Sequence, residues 1–240
     1  MARNKGAPDA LTARVSICIS ATITMTAILL IPLARKQNAS LDSAIKSPAT
    51  LGPITLREFV ELAKKSPGKL DYASPGNGTS NHLGTELFQQ VTGIDMVHIA
   101  YTGNGPAMID LIGGQIQMLF GTVVSVAPQA RAGRLKALAV TGEKRWFSFP
   151  DEPTMIEAGY PGFVSDTFNA LFAPAGTPRS IINRLNHEIG KLGGMQEVKD
   201  RLALQGAEVM LSTPEELATR VRGDLAKWGK IVRASGIKAD

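Results

Sequence analysis

Apolar and polar positions alternate along this 240-residue chain in a way that predicts strands and helices in turn. The first strong signal is Thr55-x-x-Glu58, a capping box in which each side chain satisfies a free backbone N–H of the other residue. Leu56, Phe59, Val60 and Ala63 then share one face, and Ser66-Pro67-Gly68 ends the helix. A short strand is expected over residues 70–74, followed by a glycine-rich loop and a helix marked by Leu83, Leu87, Phe88 and Val91. The pattern repeats with a strand over 96–100, a loop over 101–105, and Pro106 at a helix start. A strand over 116–120, a short helix near 124–132 and a strand over 135–140 complete this part.

Strands alternating with helices predict a parallel sheet covered on both faces. Residues 143–162 are richer in Pro, Gly and charge, with Thr154-x-x-Glu157 suggesting one short helix. After them, the pattern predicts a strand over 168–173 and a helix capped by Thr177, with Ile181, Ile182, Leu185 and Ile189 inside. A helix over 198–204 and a strand over 207–211 follow. Thr213-Pro214-Glu215-Glu216 starts a last helix, with Leu217, Val221, Leu225, Trp228 and Val232 as a core stripe.

The N-terminal segment reads differently. Residues 15–34 form an uncharged, mostly apolar run between Arg14 and Arg35-Lys36. About 20 apolar residues suffice to span a bilayer, and a secretory core has about 7–15. Residues 1–36 are therefore expected to be a signal peptide or a signal anchor, and the chain to be exported to the periplasm. Residues 37–54 read as a linker.

Charge narrows the functional classes. Of the net +5, most sits in residues 1–54, where Arg3, Lys5, Arg14, Arg35, Lys36 and Lys46 face only Asp9 and Asp42. The body is nearly neutral and has no basic stripe with interleaved aromatics, so a nucleic-acid partner is not expected. Cys18 is the only cysteine and cannot form an internal disulfide.

Candidate chemistry concentrates in two loops. Ser74-Pro75-Gly76-Asn77-Gly78-Thr79-Ser80-Asn81-His82 follows a strand and opens a helix. Glycines allow close backbone approach, and a helix start offers free N–H groups to an anion. Thr79 and Ser80 add hydroxyls, and His82 is either a ligand donor or a cap. The segment is neither a Walker loop nor a G-x-G-x-x-G fingerprint, and an ordinary βα turn would look the same locally. Tyr101-Thr102-Gly103-Asn104-Gly105 has the same placement, so both loops would line one crevice at the carboxyl ends of neighbouring strands. His98, within a strand, and His187, within a helix, read as structural. There is no H-E-x-x-H, C-x-x-C or Gly-x-Ser-x-Gly motif, so no catalytic residue, metal or cofactor is expected.

These residues carry a family resemblance. LREFVELAKKSPG at 56–68, KLDYASPGNGTSNHL at 69–83 and VHIAYTGNGPAMIDLIGG at 97–114 resemble the Bug family, the receptors of tripartite tricarboxylate transporters. LKALAVT, PDEPTMIEAGYPG, LFAPAGTP and residues 213–237 extend the likeness over about three quarters of the chain. The resemblance implies an α/β, two-lobed periplasmic-binding-protein fold of type II and a small carboxylate ligand: a dicarboxylate, a tricarboxylate, an acidic amino acid or an aromatic acid. It implies membrane components of such a transporter as partners. Gly76, Asn77, Gly78, Thr79, Ser80 and His82 match the family's gripping loop, and Tyr101 and Gly103 match the next one.

Two departures stand out. Gly121 occupies a position where the family often has an Asp, and the family's opening Pro/Gly-rich loop is absent. The expected organisation is a ligand-binding lobe over 55–142, a crossover over 143–165, and an incomplete first lobe with a C-terminal helix over 166–240. One jaw would be partial and closure around ligand weak. Two other classes fit the scaffold: the effector domain of a regulator, which needs a helix-turn-helix that residues 1–54 lack, and a small-molecule enzyme, whose turnover His82→Ala would abolish.

Overall fold

The computed structural model describes residues 17–32, 55–204 and 207–237. The chain divides into two compact units. The larger comprises Met25–Thr167 with Trp228–Asp240, and the smaller Met1–Thr24 with Phe168–Lys227.

In the larger unit the elements run α1 (Leu56–Lys65), β2 (Asp71–Ser74), α2 (Ser80–Thr92), β3 (Val97–Ala100), α3 (Asn104–Gly113), β4 (Met118–Thr122), α4 (Val123–Arg131) and β5 (Leu135–Val140). They are preceded by β1 (Ile17–Pro32), whose later part belongs here. The strand order is β3-β2-β4-β1-β5. β2 is parallel to β3 and β4, as the alternating pattern predicts, while β1 lies antiparallel between β4 and β5.

Successive strand residues point to opposite faces, and each face has its own core. Tyr72 and Phe120 join Leu56, Phe59, Leu62 and Phe88 on the face covered by α1 and α2. Ala73 and Leu119 join Ala107, Leu111, Val123 and Val126 on the face covered by α3 and α4. The capping box of α1 is present: Glu58 N–H donates to Thr55 Oγ1, and the Glu58 carboxylate accepts from Thr55 N–H. On α2 the buried face is Asn81, Thr85, Phe88 and Thr92 rather than the aliphatic set, and Val91 is exposed.

Part of the N-terminal run lies in the sheet. The part of the apolar run that the structure describes is β1, a 16-residue strand. Among the described residues no helix is long and apolar enough to cross a membrane. The physical reason is visible in ICISATITMTAILLIP, where Ile and Thr abound. β-branched residues favour strands over helices. The basic flanks of the run and the linker at 37–54 lie outside the described residues.

Two further expectations shift. No helix forms at Thr154: Thr154 and Glu157 exchange the predicted reciprocal bonds, but the segment stays a turn, with Gly159 and Gly162 at positive φ. The C-terminal helix passes from the smaller unit into the larger.

The smaller unit holds most of β6 (Asp166–Ala173), α5 (Arg179–Gly194), α6 (Gln196–Leu204), β7 (Glu208–Met210) and α7 (Pro214–Ser235) up to Lys227. β7 pairs antiparallel with Thr22–Thr24 of β1. Pro178, not Thr177, is the N-cap of α5. Ile182 and Leu217 are buried, whereas Ile181, Leu185 and Leu225 of the predicted inner faces are exposed. Gly193 lets α5 approach the strand, since a β carbon there would meet Leu211 Cδ2 at 2.8 Å and Val209 Cγ1 at 2.9 Å.

Candidate functional site

The loop between β2 and α2 is built from its glycines outward. Gly76 has φ +145° and Gly78 φ +70°, conformations that L side chains rarely adopt. Buried Ser74, at the end of β2, fastens the turn: its hydroxyl lies 2.9 Å from Gly76 O and accepts from Gly76 N–H at 3.2 Å. Thr79 is the N-cap of α2, donating through Oγ1 to Gly76 O at 2.8 Å and accepting from His82 N–H.

His82 lies beneath this turn, 6% exposed. Its Nδ1 accepts from Gly78 N–H at 3.2 Å, so the neutral ring carries its proton on Nε2, which faces Glu86 Oε1 at 3.8 Å. Burial holds the ring's pKa below the usual histidine value, against the pull of Glu86. Nδ1 of His82 is thus committed within the protein, while Nε2 faces Glu86 beyond hydrogen-bond distance. The N–H groups of Gly76 and Gly78 are committed too. Asn77 and Ser80 stand exposed on the rim. The N–H groups of Ser80 and Asn81, in the first turn of α2, have no helical acceptor. The Asn81 side-chain amide donates to Phe120 O and ties α2 to β4.

The second loop joins β3 to α3. Tyr101 N–H donates to Ser74 O at 2.9 Å, so the two loops are laced together. The Tyr101 hydroxyl donates to Asp110 Oδ2 at 2.7 Å, and burial with this bond pushes its pKa up to about 12. Gly103, at φ +146°, is the N-cap of α3 and makes no side-chain cap. Asn104 Oδ1 is buried without a partner among the described residues.

A third loop was not nominated from the sequence. Thr122 is the N-cap of α4, its hydroxyl lies 3.1 Å from Ser125 Oγ, and Ser125 Oγ donates to Thr122 O at 2.8 Å. The signal was Thr-x-x-Ser directly after a strand. Gly121 is the β4 residue paired with Ile28 of β1.

Three helix starts therefore stand at the carboxyl ends of the adjacent parallel strands β3, β2 and β4. Residues 74–82, 101–105 and 121–125 contain no Lys or Arg. Such a rim can offer an anion main-chain N–H groups, hydroxyls and helix dipoles instead of an ion pair. Among the described residues no cluster of His, Cys, Asp and Glu fits a metal ion.

Residues 30–237 match the family model described as the tripartite tricarboxylate transporter family receptor. The chain belongs to this receptor family. Its members are solute-binding receptors and not enzymes. Protein BugT of Bordetella pertussis is 36% identical over 184 residues, which is 77% of this chain and 56% of BugT. This chain thus spans a little over half the length of BugT and of most other curated relatives that it matches. Among solved structures, the periplasmic binding protein BugD is 27% identical with a TM-score of 0.71, over 94% of this chain and 71% of BugD. The R. palustris protein Rpa4515 with adipate is 26% identical with a TM-score of 0.74, over 93% of this chain and 70% of that one. The α/β fold of the periplasmic-binding-protein type is that of the receptor family.

Proposed function

We propose that this chain is an extracytoplasmic receptor for a small carboxylate that feeds a tripartite tricarboxylate-type transporter. The observation that carries the reading is the rim itself. Helix starts at the ends of β3, β2 and β4, with Thr79, Ser80, Thr122 and Ser125 among them, offer neutral donors to one crevice and no cation. A carboxylate is held well by such donors, because preset N–H groups need little reorganisation.

Gly76, Asn77, Gly78, Thr79, Ser80, Tyr101 and Gly103 are the proposed ligand-facing segment. His82 is proposed to shape it from beneath. Adipate bound to Rpa4515 makes a six-carbon dicarboxylate the natural first probe. The transporter's membrane components are the proposed partners, reached outside the cytoplasm.

The test is an amide NMR titration of the full chain with adipate. Saturable shifts are expected at Ser80, Asn81, Gly103 and Thr122. A spectrum unmoved by adipate and by other di- and tricarboxylates would rule out the reading.

A further inference from the structure

We propose that the stacked rings of His82 and His98 position residues 76–79 only while both are neutral, so that the grip of this loop weakens in acid. The ligand in this inference rests on the receptor reading above; the loop geometry belongs to the free protein.

The two imidazoles stack with centroids 3.8 Å apart and planes at 26°. Tyr72 stacks on His98 at 4.9 Å and lies 6.2 Å from His82, so the three rings form one triangular cluster. Each histidine holds one end of the turn. His98 Nε2 is 2.6 Å from Ser74 Oγ, the hydroxyl that binds both the N–H and the carbonyl of Gly76. His82 Nδ1 binds the N–H of Gly78. The rings meet because β2 and β3 pair in parallel with Tyr72 opposite His98, while α2 brings His82 back over the strands.

The titratable groups facing the pair are Glu86 from α2 and Tyr72 from β2. Glu86 Oε1 also accepts from the Tyr72 hydroxyl at 2.6 Å and from Gln89 Nε2 at 2.9 Å. Gln89 Oε1 in turn accepts from Met96 N–H at 2.6 Å. The carboxylate is therefore fixed and cannot swing under the turn to replace a lost acceptor.

Protonation changes this arrangement at defined atoms. A proton on His82 Nδ1 would set an N–H against Gly78 N–H at 3.2 Å, two donors face to face. Gly78 would have to rotate away, and with it the start of α2 whose N–H groups face the rim. Two charged rings at stacking distance would also repel. Burial holds both rings neutral near pH 7, and His98 is brought down to about 4, with His82 as the second cause. The loop is ordered at neutral pH and loosens as acid overcomes that resistance.

The experiment uses the full chain with adipate as probe. Imidazole nitrogens and the Gly76 and Gly78 amides are followed by NMR from about pH 7.5 to about 3.5 without ligand, and adipate affinity is measured along the same range. The expected result is an unprotonated His82 Nδ1 at neutral pH and a Gly78 amide that moves as His82 or His98 titrates. His82→Asn keeps an acceptor for Gly78 N–H but does not titrate, and it controls for protonation of adipate itself. Over the range the native chain should lose at least about fivefold more affinity than this variant. A Gly78 amide that stays in place while both rings titrate, or the same affinity profile in both proteins, would overturn the proposal. If adipate binds at no pH, the receptor reading fails, and the ligand-free titration still decides whether the rings position the loop. That arm also stands alone if His82→Asn does not fold.

Discussion

Asn81 donates its side-chain amide to the main-chain carbonyl of Phe120. The bond joins the first turn of α2 to β4, so the first and third loops of the rim are set by one buried contact. Asn81→Ala leaves that carbonyl and the space around it unfilled, and should cost about 1–3 kcal/mol in urea unfolding. Asn81→Asp keeps the shape but sets a carboxylate against a carbonyl oxygen, and should cost more than the alanine variant.

Gly103 and Gly105 make a paired test of backbone conformation. A β carbon on either meets nothing within 4 Å, but only Gly103 is held at positive φ. Gly103→Ala should therefore cost about 1–3 kcal/mol and shift the amides of the second loop. Gly105→Ala, in the first turn of α3, should be neutral or stabilising by up to about 1 kcal/mol. Equal thermal melts for the two variants would show that φ at Gly103 carries no strain.

Thr79 caps α2 and holds Gly76 O with the same hydroxyl. Thr79→Ser should retain both bonds and the native melting temperature. Thr79→Ala should lose about 1 kcal/mol of stability and broaden the Gly76 amide resonance. A variant that is destabilised but has an unchanged Gly76 environment would separate capping from loop shape.

Stability should fall in mild acid. The native fold holds His98 near 4 against an ordinary value of 6.5, so the unfolded chain takes up a proton that the folded chain refuses. The stability is fully present above 6.5 and is lost as pH falls toward about 4. His82 acts in the same direction. Glu58, Glu157 and Glu216, held below 4.5 chiefly by backbone N–H bonds, lose their contribution only below that value. Melting temperatures measured in steps from about pH 7.5 to about 3.5 should already decline above about 5, and His98→Gln should flatten that part. A decline confined to pH values below 4.5 would assign the effect to the carboxylates.

What the sequence made legible was local. The capping pairs Thr55–Glu58 and Thr213–Glu216 announce their helices because each is completed within four residues. The loops after β2 and β3 show themselves by glycine between an apolar run and a helix start. β1 was not legible as a strand, because its partners β4 and β5 are far along the chain and a long apolar run looks the same to any targeting criterion. The role of His82 was hidden for a related reason. Its contact with Gly78 is local, but the ring that packs against it comes from β3, and no spacing rule places His98 there. The Thr154–Glu157 pair misled in the opposite direction, since its bonds form while Pro161 and glycines 159 and 162 stop any helix from growing.

The position of β1 between β4 and β5 has a consequence for how the chain reaches its fold. β2, β3 and β4 can find one another over the successive crossovers that carry α2 and α3, as a growing parallel ribbon. β5 has no neighbour in the larger unit's sheet until β1 has been laid against β4. β1 precedes the other described strands in the chain, and it must stay unpaired with β4 and β5 until they arrive. The closing of this sheet is therefore a long-range, late event with a steep entropic barrier. Until it occurs, sixteen mostly apolar residues present two open edges, a state in which a chaperone's hold would matter more to the yield of protein than any residue of the binding rim.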